Sequence, residues 1–393
     1  MAKVECELIT QDAIDVEIAG KGVILQDKSV DVEYNGTIVV KADDCFDGLK
    51  SLQINTNVPK RFECGDAVFN TSDYKGGLLP ITKVDVSCLV TSQTTSLSSL
   101  FHGMKSLTEI VGMQNWDTSN IVNMNRIFRD CSLLQSLNLS NFDTSKVEDM
   151  RCMFYNCGSL QSIDMTNWDT SKVANFDEMF LGCSSLKSLN IKNWDFSNAV
   201  SMVLAFGDGF GVKELDLSGL KFTKSVDFLN CFRGTRLVRL DLSNWDLGNK
   251  SMRFDAFFST SRELSWLDMS NWKNCRNVSP NYLFNMNYYT NTMIGDHTLE
   301  DVENGSVTLF EGADRSFDMS PHYNLAINFS SILAIANGIA DLTGTTAQTW
   351  TLSTKSYNNM YNDDITIPSA DVIAERQARI AAICAAKNWN FAH

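Results

Sequence analysis

The sequence is poor in histidine, the side chain that most often serves in metal binding and acid–base chemistry near neutral pH. It contains four histidines, His102, His297, His322 and His393, which are scattered and share no motif with a cysteine or a carboxylate at metal-ligand spacing. It also lacks a nucleophile elbow, a phosphate-binding loop and a glycine-rich dinucleotide turn. The residues therefore predict no catalytic site, no metal site and no cofactor.

Positive charge and long apolar runs are scarce as well. With 33 Lys and Arg against 47 Asp and Glu, the formal net charge is −14, which disfavours binding to the phosphate backbone of nucleic acids. No stretch approaches the roughly 20 apolar residues of a membrane span. The acidic residues in MAKVECELITQDAIDVEIAG do not fit a signal peptide, so we expect the chain to stay where it is made, with its 11 cysteines reduced.

The sequence is rich, by contrast, in one pattern that returns many times. SNFDTSKVEDMRCMF at 140–154 is followed by TNWDTSKVANFDEMF at 166–180, and a large apolar anchor recurs every 25 to 27 residues from Trp116 to Trp272. A period of this length predicts a solenoid, in which each repeat buries its apolar face against the next. We expect the anchors to form a ladder in the core: Trp116, Phe142, Trp168, Trp194, Trp245 and Trp272.

Each repeat predicts a strand, a turn, a short helix and a second turn. Alternating stretches such as LDLS at 215–218 predict a short strand with one buried face. In SKVEDMRCMF the apolar residues Val147, Met150 and Phe154 fall on one helical stripe. Ser145 and Glu148 stand at the spacing of a capping box at the start of that helix.

The pattern MF..C.SL.SL.LSNWDTS.V..M resembles the BspA-like leucine-rich repeat family of bacteria and their phages. This resemblance implies a leucine-rich-repeat solenoid. The segment at 319–353 resembles the closing segment of phage and prophage members, and YNGTIVVKADDCFDGLKSLQINTNVP at 34–59 resembles a segment found ahead of repeats in phage structural proteins. The resemblance therefore implies the phage structural-protein type of the family.

The predicted fold class is an α/β repeat solenoid of short parallel strands and short helices, with a small N-terminal antiparallel β domain and a C-terminal helical cap. We expect a β attachment domain at 1–60, a linker or N-cap at 61–83, about eight repeats at 84–290, and a capping segment at 291–393. Within the last segment, Ile332, Ile335, Ala336 and Ile339 form an apolar helical stripe. A final helix is predicted to start near Ser369.

The candidate binding surface is the exposed side of the strands. The middle exposed position carries Asn138, Asp164, Asn190, Asp216, Asp241 and Asp268, and the flanking positions vary most in the later repeats. Trp266 is predicted either to point outward as a contact residue or to be covered by the C-terminal segment. The predicted binding residues are Lys192, Glu214, Asp216, Arg239, Asp241, Trp266 and Asp268, and calcium binding at Asp216, Asp241 and Asp268 is a secondary hypothesis.

These features predict a non-enzymatic structural or adhesive protein. The first hypothesis is a phage virion component, such as a fibre, tail appendage or decoration, made in the bacterial cytoplasm. Its expected partners are other virion proteins or a protein or glycan of the host surface. The alternative is a bacterial cell-surface adhesin of the same repeat family. The sequence does not fix whether the chain forms a homo-oligomer.

Overall fold

The computed structural model describes two compact units, Met1–Asn190 and Ile191–His393. The described residues are 91–276 except 93, 293–313 except 295, 328–362 except 344 and 353, and 366–393. Side chains are not described at residues 354, 355 and 357. Elsewhere the backbone of short strands is described, at 4–9, 23–24, 37–42, 52–55, 59–62, 83–85, 278–279, 290–291, 317–318 and 326–327.

The first unit combines antiparallel pairs near the N-terminus with parallel pairs in the repeats. Its strands are β1 (Val4–Ile9), β2 (Val23–Ile24), β3 (Thr37–Ala42), β4 (Leu52–Asn55), β5 (Pro59–Phe62), β6 (Lys83–Asp85), β7 (Glu109–Val111), β8 (Ser136–Asn138) and β9 (Ser162–Asp164). Strands β1 and β3 pair antiparallel, and so do β4 and β5. Strand β6 joins β3 to β7 in parallel, so one sheet runs from the N-terminal segment into the repeats. The domain boundary at residue 60 stays a prediction.

The second unit continues the parallel pattern and then adds helices. Its elements are β10 (Glu214–Asp216), β11 (Val226–Asp227), β12 (Arg239–Asp241), β13 (Met252–Arg253), β14 (Trp266–Asp268), β15 (Val278–Ser279), β16 (Thr290–Asn291), α1 (Leu299–Glu303), β17 (Phe317–Asp318), β18 (Ala326–Ile327), α2 (Phe329–Gly338), β19 (Gln348–Thr351), α3 (Thr354–Asn359), α4 (Ala370–Ala386) and β20 (Trp389–Ala392). The repeats pair as β10-β12-β14 and β11-β13-β15, both parallel. The repeats therefore form a parallel-strand solenoid, as the period predicts.

The predicted helix in each repeat is wrong, because this segment bonds to the next repeat rather than to itself. An α-helix requires each N–H to donate to the carbonyl four residues earlier. Here every second N–H donates across to the following repeat: those of Met124, Arg126, Phe128 and Asp130 donate to the carbonyls of Asp149, Arg151, Met153 and Tyr155. The capping box is absent too, since the Ser145 N–H donates to Asp143 Oδ1 at 3.0 Å and the Glu148 N–H to Val122 O at 2.8 Å.

Two residues with positive φ in each repeat turn the chain where a helix was expected. In the first unit the earlier position is Arg126, Cys152 and Glu178, with φ of 55° at each. The later position, four residues on, is Asp130, Asn156 and Gly182. A left-handed residue interrupts a right-handed helix, so the same apolar spacing is satisfied by a chain of tight turns instead.

The predicted anchor ladder lies in the interior of both units. Trp116, Phe142 and Trp168 in the first unit, and Trp194, Trp245 and Trp272 in the second, are all at most 5% exposed. Beside the first-unit anchors, Phe101, Phe128, Phe154 and Phe180 stack with ring centroids 5.5 to 5.7 Å apart. Trp245 and Trp272 stack at 4.9 Å in the second unit. Such contacts are among the larger apolar contributions available to a core.

Three of the anchor indoles also donate hydrogen bonds between turns. Trp168 Nε1 donates to Leu139 O at 3.0 Å, and Trp245 and Trp272 donate to Leu217 O and Leu242 O at 2.6 Å. An unpaired buried donor would cost free energy, so each bond allows an indole to lie inside. At Trp168, Trp245 and Trp272 the anchor thus joins neighbouring turns through a polar contact as well as through packing.

After the repeats the second unit contains a helix that is buried nearly all round. Helix α2 begins after Asn328, whose side chain accepts the Ser331 N–H at 3.0 Å. The predicted apolar stripe, Ile332, Ile335, Ala336 and Ile339, is buried here. Gly338 is needed at the end of α2 because a Cβ there would overlap Leu309 O. Helix α4 begins directly after Ser369, as expected.

Truncating Trp168 tests the contribution of the ladder. We expect Trp168→Ala to lower the free energy of unfolding by about 3–5 kcal/mol, because it leaves a cavity between turns. Trp168→Phe places in this slot the residue found at Phe142, so it should cost only about 1–2 kcal/mol, chiefly for the lost bond to Leu139 O. Urea denaturation measures both. An unchanged midpoint for Trp168→Ala would remove Trp168 from the core.

Replacing Arg126 by Gly distinguishes a turn from a helix. Because the φ of Arg126 is 55°, Arg126→Gly should raise the free energy of unfolding by up to about 1 kcal/mol. In a helix the same change would lower it by about 1 kcal/mol. The control is Lys172→Gly, which has no positive φ to relieve and should destabilise by roughly 0.5–1 kcal/mol. Equal losses in the two variants, measured by urea denaturation, would contradict the turn.

Candidate functional site

The structure brings the seven predicted binding residues together in the second unit. Strand β10 carries Glu214 and Asp216, β12 carries Arg239 and Asp241, and β14 carries Trp266 and Asp268. The parallel register places Glu214, Arg239 and Trp266 side by side. Two residues further along each strand, on the same face, it aligns Asp216, Asp241 and Asp268. Lys192 Nζ lies 2.5 Å from Asp216 Oδ2. We call these seven residues and Asp296 the strand-face patch.

The centre of the strand-face patch is an arginine stacked on a tryptophan. The guanidinium carbon of Arg239 lies 3.2 Å from the ring centroid of Trp266. Asp296 holds both groups: its Oδ1 accepts from Trp266 Nε1 at 2.8 Å, and its Oδ2 lies 3.5 Å from Arg239 Nη2. Trp266 is half-buried. The indole and the guanidinium are therefore fixed in one arrangement by a cation–π contact and a shared carboxylate.

Sequence reasoning missed Asp296, because this residue lies beyond the last recognisable repeat. It approaches the patch where the chain reverses: after the parallel strands, Asp268 forms an antiparallel bridge with Ile294. The pattern of the repeats contains no signal for this reversal. The ring of Trp266 is partly exposed, and Asp296, in the segment after the repeats, contacts its edge.

The Asp and Asn residues at the middle exposed position of the strands accept hydrogen bonds from the backbone, a role that the sequence did not indicate. In each strand the side-chain oxygen accepts the N–H two residues on: Asp216 from Ser218 at 3.0 Å, Asp241 from Ser243 at 2.9 Å and Asp268 from Ser270 at 2.8 Å. In the first unit Asn138 and Asp164 make the same turn with Ser140 and Thr166. Because Asn and Asp accept this bond equally well, this strand position requires a side-chain oxygen that closes the turn and does not require a charge.

The exposed end of the patch is an ion pair. The hydrogen bond to Asp216 raises the pKa of Lys192. Burial alone would raise the pKa of Asp216, but the hydrogen bonds from Lys192 and Ser218 outweigh it and lower that pKa. Both side chains are well exposed, so water and salt weaken their attraction. This pair shapes the surface charge more than it stabilises the fold.

Asp268 stands in a different environment from its column neighbours. Burial raises its pKa, and this effect exceeds the opposing hydrogen bonds from Ser270. The nearby Asp241 raises the pKa further, and His297, whose Nε2 lies 4.0 Å from Asp268 Oδ2, opposes the change. These surroundings therefore stabilise the charged carboxylate less than water does.

The described cysteines lie in the interior and do not suggest nucleophiles. The thiols of Cys131, Cys157 and Cys183 each donate to a carbonyl of the preceding turn at 3.1 Å. Burial raises the pKa of Cys183 to about 12, so its thiolate is disfavoured at neutral pH. Ser261 occupies the same slot in a later repeat, and its hydroxyl donates to Phe232 O in the same way. In these four repeats the slot therefore holds a small side chain that donates to a carbonyl, a role that serine fills as well as cysteine.

The histidines are dispersed among unrelated surroundings. His102 lies 3.5 Å from Asp130, and burial lowers its pKa. His297 lies beside the strand-face patch, and His322 lies outside the described residues. In the part of the chain that the structure describes, no three His, Cys, Asp or Glu side chains converge as metal ligands. Within the same part, no helix combines the length and hydropathy needed to cross a membrane.

One family model matches this chain over most of its repeats. The family, described as "Mycoplasma protein of unknown function, DUF285", matches at residues 80–164, 158–272 and 200–323. Together these matches extend over well more than half of the 393 residues. No curated protein matches the sequence.

Replacing Asp268 by Asn tests its buried charge. A raised pKa in the folded state means that the contribution of Asp268 to stability is largest below its unfolded pKa and is lost as the pH rises through the folded value. Asn keeps the oxygen that accepts the Ser270 N–H and cannot ionise. We therefore expect Asp268→Asn to raise the free energy of unfolding at pH 7 and to have less effect near pH 4.

The matched control is Asp164→Asn, since Asp164 forms the same turn at an exposed position. It should change the free energy of unfolding by less than about 0.5 kcal/mol at either pH. Thermal unfolding at both pH values measures the two variants. A lower stability of Asp268→Asn than of the unmodified protein at pH 7 would contradict the assignment.

Proposed function

The chain belongs to this DUF285 family of repeat proteins, and on that premise we propose that it is a non-enzymatic binding protein whose strand-face patch contacts a partner protein or glycan. The family match is consistent with a repeat protein of the BspA-like kind. The repeats supply a scaffold that buries its constant residues and leaves the strand positions around the turns free to vary. Binding, rather than catalysis, is the activity that this division of residues supports.

The observation that carries the proposal is the Arg239–Trp266–Asp296 contact. Tryptophan and arginine, together with tyrosine, are enriched among the residues that carry most of the binding energy at the centres of interfaces. Here both side chains are already ordered, because Asp296 bonds to the indole and approaches the guanidinium. Ordering before binding lowers the entropy cost of association.

Charged pairs surround this centre and give the patch its electrostatic character. Lys192 pairs with Asp216, and Lys213 Nζ lies 2.5 Å from Glu263 Oε2. Exposed pairs of this kind add little affinity but select the orientation and the charge of a partner. Glu214 is exposed beside Arg239 in the register of the sheet. A partner with hydrogen-bond donors and a flat apolar or aromatic surface would match this arrangement.

For the biological setting we propose a virion component of a phage, with a bacterial cell-surface adhesin as the alternative. The first setting is supported by the resemblance of the segments at 34–59 and 319–353 to those of phage proteins. Mass spectrometry of purified phage particles tests it. Detection in the particles supports the virion setting, and detection on the bacterial surface without particles supports the adhesin. Neither setting alters the proposed role of the patch.

The absence of catalysis is part of the proposal and has its own test. Hydrolysis of a glycosidic bond needs two carboxyl groups on opposite sides of a cleft. Asp216, Asp241 and Asp268 instead lie along one face, and each accepts a backbone N–H. Incubation of the protein with bacterial polysaccharides should release no new reducing ends. Release of such ends would refute the non-enzymatic assignment.

Replacing Trp266 by Ser tests the patch without disturbing the scaffold. Ser occupies the same column position in three earlier repeats, at Ser136, Ser162 and Ser188, so we expect the melting temperature to change little. Binding to a panel of immobilised surface glycans and proteins should weaken by at least about tenfold, since the loss of a central aromatic commonly costs 2 kcal/mol or more. Surface plasmon resonance measures the affinity.

The control is Ser188→Ala, which changes the corresponding repeat position in the first unit. It should bind like the unmodified protein. If Trp266→Ser retains full affinity for every panel member that the unmodified protein binds, the patch is not the binding surface.

A further inference from the structure

A notch lies in the first unit where the stacking of the strands is interrupted. Strand β7 ends the sheet β1-β3-β6-β7, and β8 begins the separate pair β8-β9. The cause is one extra residue: the middle of β7, Ile110, precedes its anchor Trp116 by six positions, whereas Leu137 precedes Phe142 by five. The chain accommodates the extra residue at Gly112, whose φ is 101°, and in a 3-10 helix at Met113–Asn115 that follows.

The notch is a small cavity with an apolar floor and a polar rim. Its volume is about 270 Å³, just below the roughly 300–1,000 Å³ of pockets that hold drug-sized ligands. Met113 and Leu137 are buried at its base and Ile110 is half-buried. The rim consists of exposed amide and hydroxyl side chains: Gln114, Ser136, Asn138 and Asn141.

Turns within the notch occupy some rim atoms and leave others available. Asn138 Oδ1 accepts from Ser140, and Gln114 Oε1 accepts the Gly112 N–H at 3.2 Å. Among the described residues, no hydrogen bond is made by the amide nitrogens of Gln114 and Asn138. Asn141 is oriented by its own amide nitrogen, which donates to Met113 O at 3.1 Å. Two fixed amide donors and the Ser136 hydroxyl thus remain around one opening.

The chemistry of the lining selects a neutral ligand rich in hydroxyl groups. None of the lining side chains is charged, so neither a phosphate nor a carboxylate would find a counter-ion there. Amide donors and a hydroxyl match the oxygens of a sugar, while Ile110, Met113 and Leu137 can pack against the C–H face of its ring. We propose that this notch is a binding site for one ring of a neutral glycan, separate from the strand-face patch.

Residues from other repeats provide variants that block the notch and keep the fold. Ser136→Trp fills it with the residue found at the corresponding position of a later repeat, Trp266. Asn138→Asp keeps the oxygen that the turn requires, as at Asp164, and removes the amide donor. The matched controls are Ser162→Trp and Asp164→Asn, one repeat further along and outside the notch.

The experiment is saturation-transfer NMR of the full chain with neutral cello-, malto- and manno-oligosaccharides at up to about 10 mM, since one small ring commonly binds near the millimolar level. We expect at least one of these probes to bind the unmodified protein. Ser136→Trp and Asn138→Asp should each weaken it about tenfold or more, whereas both controls and Trp266→Ser should leave it unchanged. This last variant separates the notch from the proposed function of the patch.

Three outcomes would overturn the proposal. One is the absence of binding by all three probes at the highest concentration. Another is equal binding by the notch variants and their controls, with melting temperatures showing that all are folded. The third is selective binding of a neutral extended peptide in place of the sugars, because the notch would then accept a peptide strand beside β8.

Discussion

Hydrogen bonds between successive turns are the constraint on which the rest of this structure depends. Along the segment from Met124 to Asp130, alternate N–H groups donate to the next repeat, and the short strands do the same in parallel register. Each turn can satisfy its backbone only if its neighbour has the same path and length. The fixed period, the ladder of large anchors and the columns of positive φ all follow from this requirement.

The same requirement explains why certain polar residues recur. A chain that turns this often exposes many N–H groups that the ladders do not reach, and Asp and Asn side chains accept them locally, as Asp216 and Asn138 do. Buried polar atoms reach across to the preceding turn instead, as the Cys157 thiol and the Trp168 indole do. Charge in these columns is therefore incidental to the fold and can vary with the surface that each unit presents.

The sequence predicted what depends on repetition and missed what depends on local backbone geometry. The period was enough to place Trp168 and Trp245 in the interior and to align Glu214, Arg239 and Trp266 on one face. The helices were wrong because Val147, Met150 and Phe154 have a spacing that fits a helical stripe and a series of tight turns equally well. Only the φ of residues such as Cys152 separates the two, and Cys carries no preference for that conformation.

Both proposed contact surfaces lie where the repetition fails, and there is a physical reason for this. In a regular turn the backbone and the Asx side chains satisfy one another, so few polar groups are left to bind anything else. The extra residue at Gly112 separates β7 from β8 and frees the amides of Gln114 and Asn138. The antiparallel bridge between Asp268 and Ile294 ends the parallel stack and brings Asp296 to the edge of Trp266. On both proposals, contact surfaces arise at local departures from the period, which the neighbouring repeats tolerate because each turn contacts only the turns beside it.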